Sequence, residues 1–235
     1  MTEDGDTGDG YGGRRILEAM HEAVRYTGCV AGLIEQARPA AARNILEFGA
    51  GDGAFLRTFR AMGWDVDCVE IDAGLREGLN RIGGRVFANV RQAESARYDF
   101  IYSVNVLEHV PDLVAELVEL RRVLRPGGVL FAFVPAFRLL WTSLDTEVGH
   151  VTRFTRGSLS AALRQGGFGI SRMGYFDSLG FPAALAVRLL EKANLFSYGG
   201  GTVGFYDRYL FPVSRAFDLV LSPVVGKNLV VVARK

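Results

Sequence analysis

Three observations predict an α/β chain built on a mostly parallel sheet. Short β-rich runs alternate with runs of helical period over residues 44–134, the pattern of repeated βαβ units. One of those runs, residues 44–48, passes straight into Gly49-Ala50-Gly51-Asp52-Gly53 and then into a helical stretch, as where a Rossmann-like sheet turns toward a ligand. A length of 235 residues with 49% hydrophobic content suffices for one large core.

Residues 1–13, rich in Gly and Asp with neither a basic start nor an apolar run, read as a disordered leader and not as a secretory signal, so a cytoplasmic location is expected. Over 14–37, Leu17, Met20, Val24, Thr27, Ala31 and Ile34 recur at steps of three and four, predicting a helix with one buried face that Pro39 ends. Strands are expected at 44–48, 65–71, 99–104 and 129–134, and helices at 53–62 and 73–81. A further helix carries Leu113, Leu117, Leu120 and Leu124 on one face; Pro111-Asp112 starts it and Arg125-Pro126-Gly127-Gly128 stops it. A helix at 156–165 and strands at 168–176 and 228–234 follow.

Residues 177–227 are too long for a simple connection and read as two apolar helices joined by Ser197-Tyr198-Gly199-Gly200-Gly201, a helical cap inserted before the last strand. Residues 14–235 thus form a single domain with that insertion, and the apolar cap leaves a homodimer open. Pro182, Arg188, Asp207, Arg208, Arg215 and Asp218 interrupt its apolar runs, so no membrane-spanning stretch of roughly 20 residues is present.

A formal charge of +1 provides no broad basic field, and nucleic acid is not expected as a partner. Cys29 and Cys68 lie in unlike contexts with no partner at ligand spacing, which indicates neither a disulfide framework nor a zinc site. No metal site is assigned.

The most informative segment is the Gly-rich turn after 44–48. Its glycines allow a tight turn and a close backbone approach, and the following helix N-terminus offers free N–H groups. Glu70 ends the next apolar strand, where an acidic side chain reaches ribose hydroxyls. A pyrophosphate fingerprint would carry G-x-G-x-x-G; here the glycines are Gly49, Gly51 and Gly53, and Glu47 opens the turn. A carboxylate there repels pyrophosphate but suits a cationic aminoacyl group, so S-adenosylmethionine (SAM) fits better than a dinucleotide.

With these motifs the chain resembles the class I SAM-dependent methyltransferases. The likeness extends through residues 98–112, which contain Asn105, Glu108 and His109, and through Leu124-Arg125-Pro126-Gly127-Gly128-Val129-Leu130. Asp145 with Gly149-His150-Val151-Thr152-Arg153-Phe154-Thr155 is similar to a segment of a bacterial, small-molecule-oriented subgroup, with Thr152 and Phe154 departing from its usual Arg and Tyr. The resemblance implies a seven-stranded, mostly parallel Rossmann-like sheet with helices on both faces and an N-terminal helix. It further implies that Gly49, Gly51 and Glu47 lie at the aminoacyl part of SAM, Glu70 at the ribose, Ile71 at one adenine face, Asn89 and Val90 at the adenine edge, and Asn105 at the amino group. Tyr26 is expected to close over the methionine moiety or to be an ordinary amphipathic tyrosine.

Methyl transfer to an O- or N-nucleophile is helped by a base near neutral pH, and His150, with Asp145 five residues before it, and His109 are the candidates. Tyr175, Asp177 and Tyr206 flank the cap and are expected to bind a polar substrate. The favoured expectation is methylation of a small metabolite or natural-product intermediate in small-molecule biosynthesis. Two alternatives remain open: an enzyme that cyclises the aminobutyryl part of SAM and releases methylthioadenosine, and a catalytically idle SAM-binding subunit.

Overall fold

The computed structural model describes residues 22–195 and 202–235. The expected leader at 1–13, the first part of the expected N-terminal helix at 14–21 with Leu17 and Met20, and the cap joint at 197–201 lie outside the described residues. Seven strands form one sheet in the order β3-β2-β1-β4-β5-β7-β6. These are β1 (Ile45–Phe48), β2 (Val66–Val69), β3 (Val86–Phe87), β4 (Tyr98–Val104), β5 (Leu124–Pro135), β6 (Gly169–Phe176) and β7 (Asn228–Arg234). The first five are mutually parallel, while β7 runs antiparallel to both β5 and β6. This is the expected Rossmann-like architecture. The two-residue β3, which no sequence period marks, completes the seven.

The helices pack on both faces. α1 (Val24–Ala37), α2 (Ala54–Ala61), α3 (Ala73–Ile82), α4 (Leu113–Val123) and α6 (Arg156–Gln165) lie close to their expected positions, and a short α5 (Ser143–Glu147) precedes α6. The insertion is helical as expected: α7 (Gly180–Lys192), then α8 (Thr202–Phe205), a π-helical turn (Tyr206–Leu210) and α9 (Phe211–Leu221). One apolar layer packs Leu46, Ile101, Leu130 and Val231 against Leu117, Leu120 and Leu163; the other packs Ile45, Phe100, Phe131 and Phe133 against Val30, Ile34, Phe59 and Phe211.

Two local expectations are corrected. The buried face of α1 is Ala23, Tyr26, Val30 and Ile34, whereas Val24 is 70% exposed. The face is turned because the Tyr26 ring packs edge-on against Phe133 and Phe176, at centroid distances of 6.1 and 5.6 Å, an aromatic anchor that outweighs the smaller apolar residues of the neighbouring stripe. Leu124, still buried, belongs to β5 and not to the helix, and the helix itself buries Val123 with Leu117 and Leu120. Asp112 caps α4 as expected, accepting from the Ala115 N–H at 3.0 Å.

The strand ends place the site. β1, β2, β4, β5 and β6 all finish at one edge of the sheet, and the pairing of Pro135 and Phe176 with Asn228 puts the start of β7 there as well. The insertion is fastened over that edge by buried carboxylates. Asp207 accepts the N–H groups of Arg25 and Tyr26 at 3.0 and 2.7 Å, and Asp218 accepts those of Asp177 and Ser178 at 3.0 and 2.7 Å. Among the described residues no helix is long and apolar enough to cross a membrane.

Replacing Asp207 with Ala leaves two amides of α1 without their acceptor. Hydrogen bonds to charged groups contribute about 1.5–3 kcal/mol. A loss of that size in chemical denaturation, with faster proteolysis within the cap, is expected; an unchanged midpoint would show that the cap is held by other means.

Candidate active site

At the end of β1 the backbone enters the left-handed region three times in five residues, at Gly49 (φ 80°), Gly51 (φ 56°) and Gly53 (φ 84°). A Cβ on Gly49 would stand 2.2 Å from Val106 Cγ2, so this glycine lets the first loop press against the loop after β4. A Cβ on Gly53 would meet Leu79 and Ile82 of α3 within 2.8 Å. The loop is held from β2: the Gly49 and Ala50 N–H groups donate to Val69 O at 2.9 and 3.1 Å.

Glu70, 7% exposed, receives the N–H groups of Gly51 at 2.7 Å and Asp72 at 2.9 Å. Its carboxylate is thereby fixed at the mouth of the glycine turn. Ile71 beside it is 85% exposed, a large apolar side chain left open to solvent next to that mouth. Val90 is fully buried in the core and Asn89 is exposed, so only backbone and the Asn89 side chain are presented at this rim. Asn105 takes a positive φ of 53° and donates its N–H to Phe133 O at 2.8 Å, which turns the chain out of β4 toward the glycine loop.

Glu47 is 3% exposed on β1, opposite Tyr102 of β4, whose hydroxyl donates to it at 3.1 Å. Burial pushes its carboxyl well above the ordinary glutamate range, and the Tyr102 hydrogen bond offsets this only in part. No cation is bonded to Glu47 among the described residues. A cationic aminoacyl group answers that deficit. The tight glycine cradle, the fixed Glu70 and the uncompensated Glu47 therefore fit the cofactor that the sequence motif suggests.

A second group of residues follows directly after Val106. Glu108 is fully buried, neither of its carboxylate oxygens has a hydrogen-bond partner, and burial raises its pKa to about 8 against the pull of Arg153. Its backbone carbonyl accepts from Val151 N at 2.8 Å, tying this loop to the segment that carries His150. The rings of His109 and His150 meet at a centroid distance of 4.7 Å. His150 Nδ1 lies 2.6 Å from Asp145 Oδ1, and its Nε2 lies 3.7 Å from Glu108 Oε1.

Asp145 is 1% exposed. Burial alone would raise its pKa, but hydrogen bonds from His150, Arg153 and Thr142 outweigh that and hold it well below the usual carboxylate range. An ionised carboxylate only accepts, so Nδ1 of His150 carries the hydrogen and Nε2 is its basic nitrogen. The His109 pKa is lowered by burial and by the neighbouring His150, which favours a neutral ring.

The remaining expected residues meet one another. Asp177, fully buried with φ 63°, accepts from the Tyr206 hydroxyl, from Ser214 Oγ at 2.7 Å and from Gly180 N at 3.1 Å, and Lys227 Nζ lies 3.9 Å from it. Tyr26 donates its hydroxyl to Asn228 Oδ1 at 2.8 Å, and Lys227 Nζ stands 5.5 Å from its ring centroid. Tyr175 stacks on Phe137 at 4.9 Å. The sequence reading gave no role to Glu108 or Arg153. The one local signal was a carboxylate between the apolar pair Val106-Leu107 and His109.

The methyltransferase-domain family matches residues 20–171. The chain belongs to that family. Two curated relatives are malonyl-[acyl-carrier protein] O-methyltransferases. That of Enterobacter lignolyticus is 31% identical over 133 residues, 51% of this chain and 52% of the relative; that of Erwinia pyrifoliae is 28% identical over 189 residues, 76% of this chain and 72% of the relative. The chain therefore spans about half the length of the first and under three quarters of the second. A solved SAM-dependent methyltransferase from Archaeoglobus fulgidus shares the fold, with a TM-score of 0.59 at 16% identity over 88% of this chain and 94% of that one.

Because the Glu47 pKa is raised on folding, the native state retains a proton that the unfolded chain releases above the ordinary glutamate value, and this group's effect on stability becomes less favourable as pH rises from there. Glu47→Gln keeps an acceptor for Tyr102 and removes the titration. Its thermal midpoint should exceed the parent's at pH 8 and converge with it at pH 4, while SAM affinity falls about tenfold, ~1.4 kcal/mol. Parallel midpoints at both pH values would show that Glu47 is not titrating as described.

Proposed function

We propose that this chain methylates an oxygen of a small acidic acceptor, binding SAM at the glycine turn and presenting the acceptor to the Asp145–His150 pair. The observation that carries this reading is the contact between Gly49 and Val106, which sets the cofactor loop against the loop that continues, two residues later, into Glu108 and His109. When bound, SAM supplies a methyl group already activated by its sulfonium charge.

The chain's own task is then alignment, exclusion of water and handling of the acceptor proton. Gly49 and Gly51 give the backbone its close approach, Glu47 holds the amino end, and Glu70, held in place by Gly51 and Asp72, offers its remaining acceptor positions to ribose hydroxyls. Ile71, Asn89 and Val90 border the adenine, and Asn105 turns β4 into the site. Asp145 and Arg153 fix His150 so that Nε2 faces the acceptor side, and His109 packs against that ring.

The acidic character of the acceptor is supported by a groove beside this pair. It is lined by Arg138, Trp141, Arg188, Glu191 and Lys192, three cations to one carboxylate. The Trp141 ring lies 6.4 Å from that of His150. The malonyl-[acyl-carrier protein] O-methyltransferase activity named for the curated relatives agrees with an acidic, oxygen-bearing acceptor.

Cyclisation of SAM would need aromatic and acidic groups free to bend its methionine chain. Here Asp177 is engaged by Tyr206, Ser214 and Gly180, and Tyr26 by Asn228, so these residues fasten the cap and leave methyl transfer the better reading. We assign residues 22–235 to one domain with the 177–227 cap as its insertion.

Two measurements test the reading. Glu70→Ala should weaken SAM binding in calorimetry by about 1.5–3 kcal/mol, the scale of a charged hydrogen bond; undiminished affinity would remove the ribose assignment. His150→Ala should bind SAM as the parent does and turn over about 10²–10⁴-fold more slowly with a hydroxyl acceptor that also carries a carboxylate, the usual contribution of a positioned acid or base. Release of methylthioadenosine in place of S-adenosylhomocysteine would favour cyclisation.

A further inference from the structure

We propose that Glu108, His109 and His150 form a binding site for a first-row divalent cation of the zinc class, with Asp145 orienting His150 from behind. One donor atom from each of the three residues lies within 4.8 Å of the others. Glu108 is the deciding residue. It is fully buried, both carboxylate oxygens are without a hydrogen-bond partner, and one of them is directed at His150 Nε2, 3.7 Å away. A carboxylate so enclosed is costly unless something positive meets it, and Arg153, the nearby cation, spends its guanidinium on Asp145 at 2.7 and 3.0 Å and on Ala136 O.

His150 is prepared in the manner of a ligand. It gives its Nδ1 hydrogen to Asp145, which leaves Nε2 free toward Glu108, and the His109 ring meets that of His150 at a centroid distance of 4.7 Å. A carboxylate behind a ligating ring is the arrangement that fixes the tautomer and raises ligand basicity at metal sites. Two imidazoles and one carboxylate are a donor set for zinc-class ions with a position left open. Tetrahedral coordination sets donors about 3.3 Å apart, and rotation of the three side chains closes the difference.

An ion here refines the role given to His150 above. A bound ion would offer its open position to an acceptor hydroxyl and lower that hydroxyl's pKa, so that its proton would pass to solvent in place of direct transfer to Nε2. That catalytic meaning rests on the methyltransferase reading; binding of the ion does not.

The test uses the tag-free full-length chain, stripped with a chelator and titrated with Zn²⁺ against a chromophoric competitor, with Co²⁺ visible absorption as a second probe. One ion per chain and an intense, low-symmetry Co²⁺ spectrum are expected. Asp145→Asn should weaken uptake about 10–100-fold, the range for a group behind a ligand, and Glu108→Gln and His150→Ala should abolish it. Because Glu108 is fully buried, the outcome is read on His150→Ala if Glu108→Gln does not fold, with the circular dichroism of each variant compared with the parent. No stoichiometric uptake, or uptake unchanged in His150→Ala, overturns the site. SAM calorimetry on the stripped chain is expected to match that of the loaded chain, so failure of the cofactor reading registers separately from failure of the metal site.

Discussion

The structure depends on the way buried carboxylates accept backbone N–H groups along one edge of the sheet. Where β1, β2, β4, β5 and β6 end, the chain leaves the ladder and its amides lose their strand partners under a covering cap. Glu70 takes Gly51 and Asp72, Asp145 takes Thr142, Asp177 takes Gly180, Asp218 takes Asp177 and Ser178, and Asp207 takes Arg25 and Tyr26. These bonds run from 2.7 to 3.1 Å, and each amide would be costly if left unpaired in that interior. The same carboxylates set the loop conformations on which the candidate site is built.

This also explains how a long insertion between β6 and β7 stays in place. Its two ends meet through Asp177 and Asp218, and its middle is held to α1 through Asp207, so the cap and the N-terminal helix stand or fall together. Tyr26 belongs to this fastening as well, with its hydroxyl on Asn228 at the start of β7 and its ring between Phe133, Phe176 and Phe211. Burial and the nearby Asp177 keep that hydroxyl protonated, which suits a donor in a fixed network.

Most of the fold could be read from the sequence because it rests on local signals: the glycine turn, the alternation of periods, the capping Asp112 and the β-rich runs. The phase of α1 could not, since Val24, Thr27 and Ala31 repeat as well as Tyr26, Val30 and Ile34, and only the aromatic cluster from β5, β6 and α9 selects the second set. The site divides in the same way. Glu70 and Gly49 declare themselves by spacing, and His150 by its neighbour Asp145. Glu108 does not, because its isolation is created by β5 and the 149–152 segment closing over it, contacts distant in sequence.

Among the described residues, two buried carboxylates accept from no other residue's amide, one two residues before Gly49 and one two residues after Val106. Glu47 has a tyrosine hydroxyl and no bonded cation, and neither carboxylate oxygen of Glu108 has a hydrogen-bond partner. Burial raises the pKa of both. An interior that supplies acceptors so freely to its amides could have placed apolar residues at these two positions at lower energetic cost. Burial disfavours the charged form of both carboxyls, and a cation placed beside either would reverse that preference. On the readings proposed above, that charge is the amino end of SAM at Glu47 and a divalent cation at Glu108.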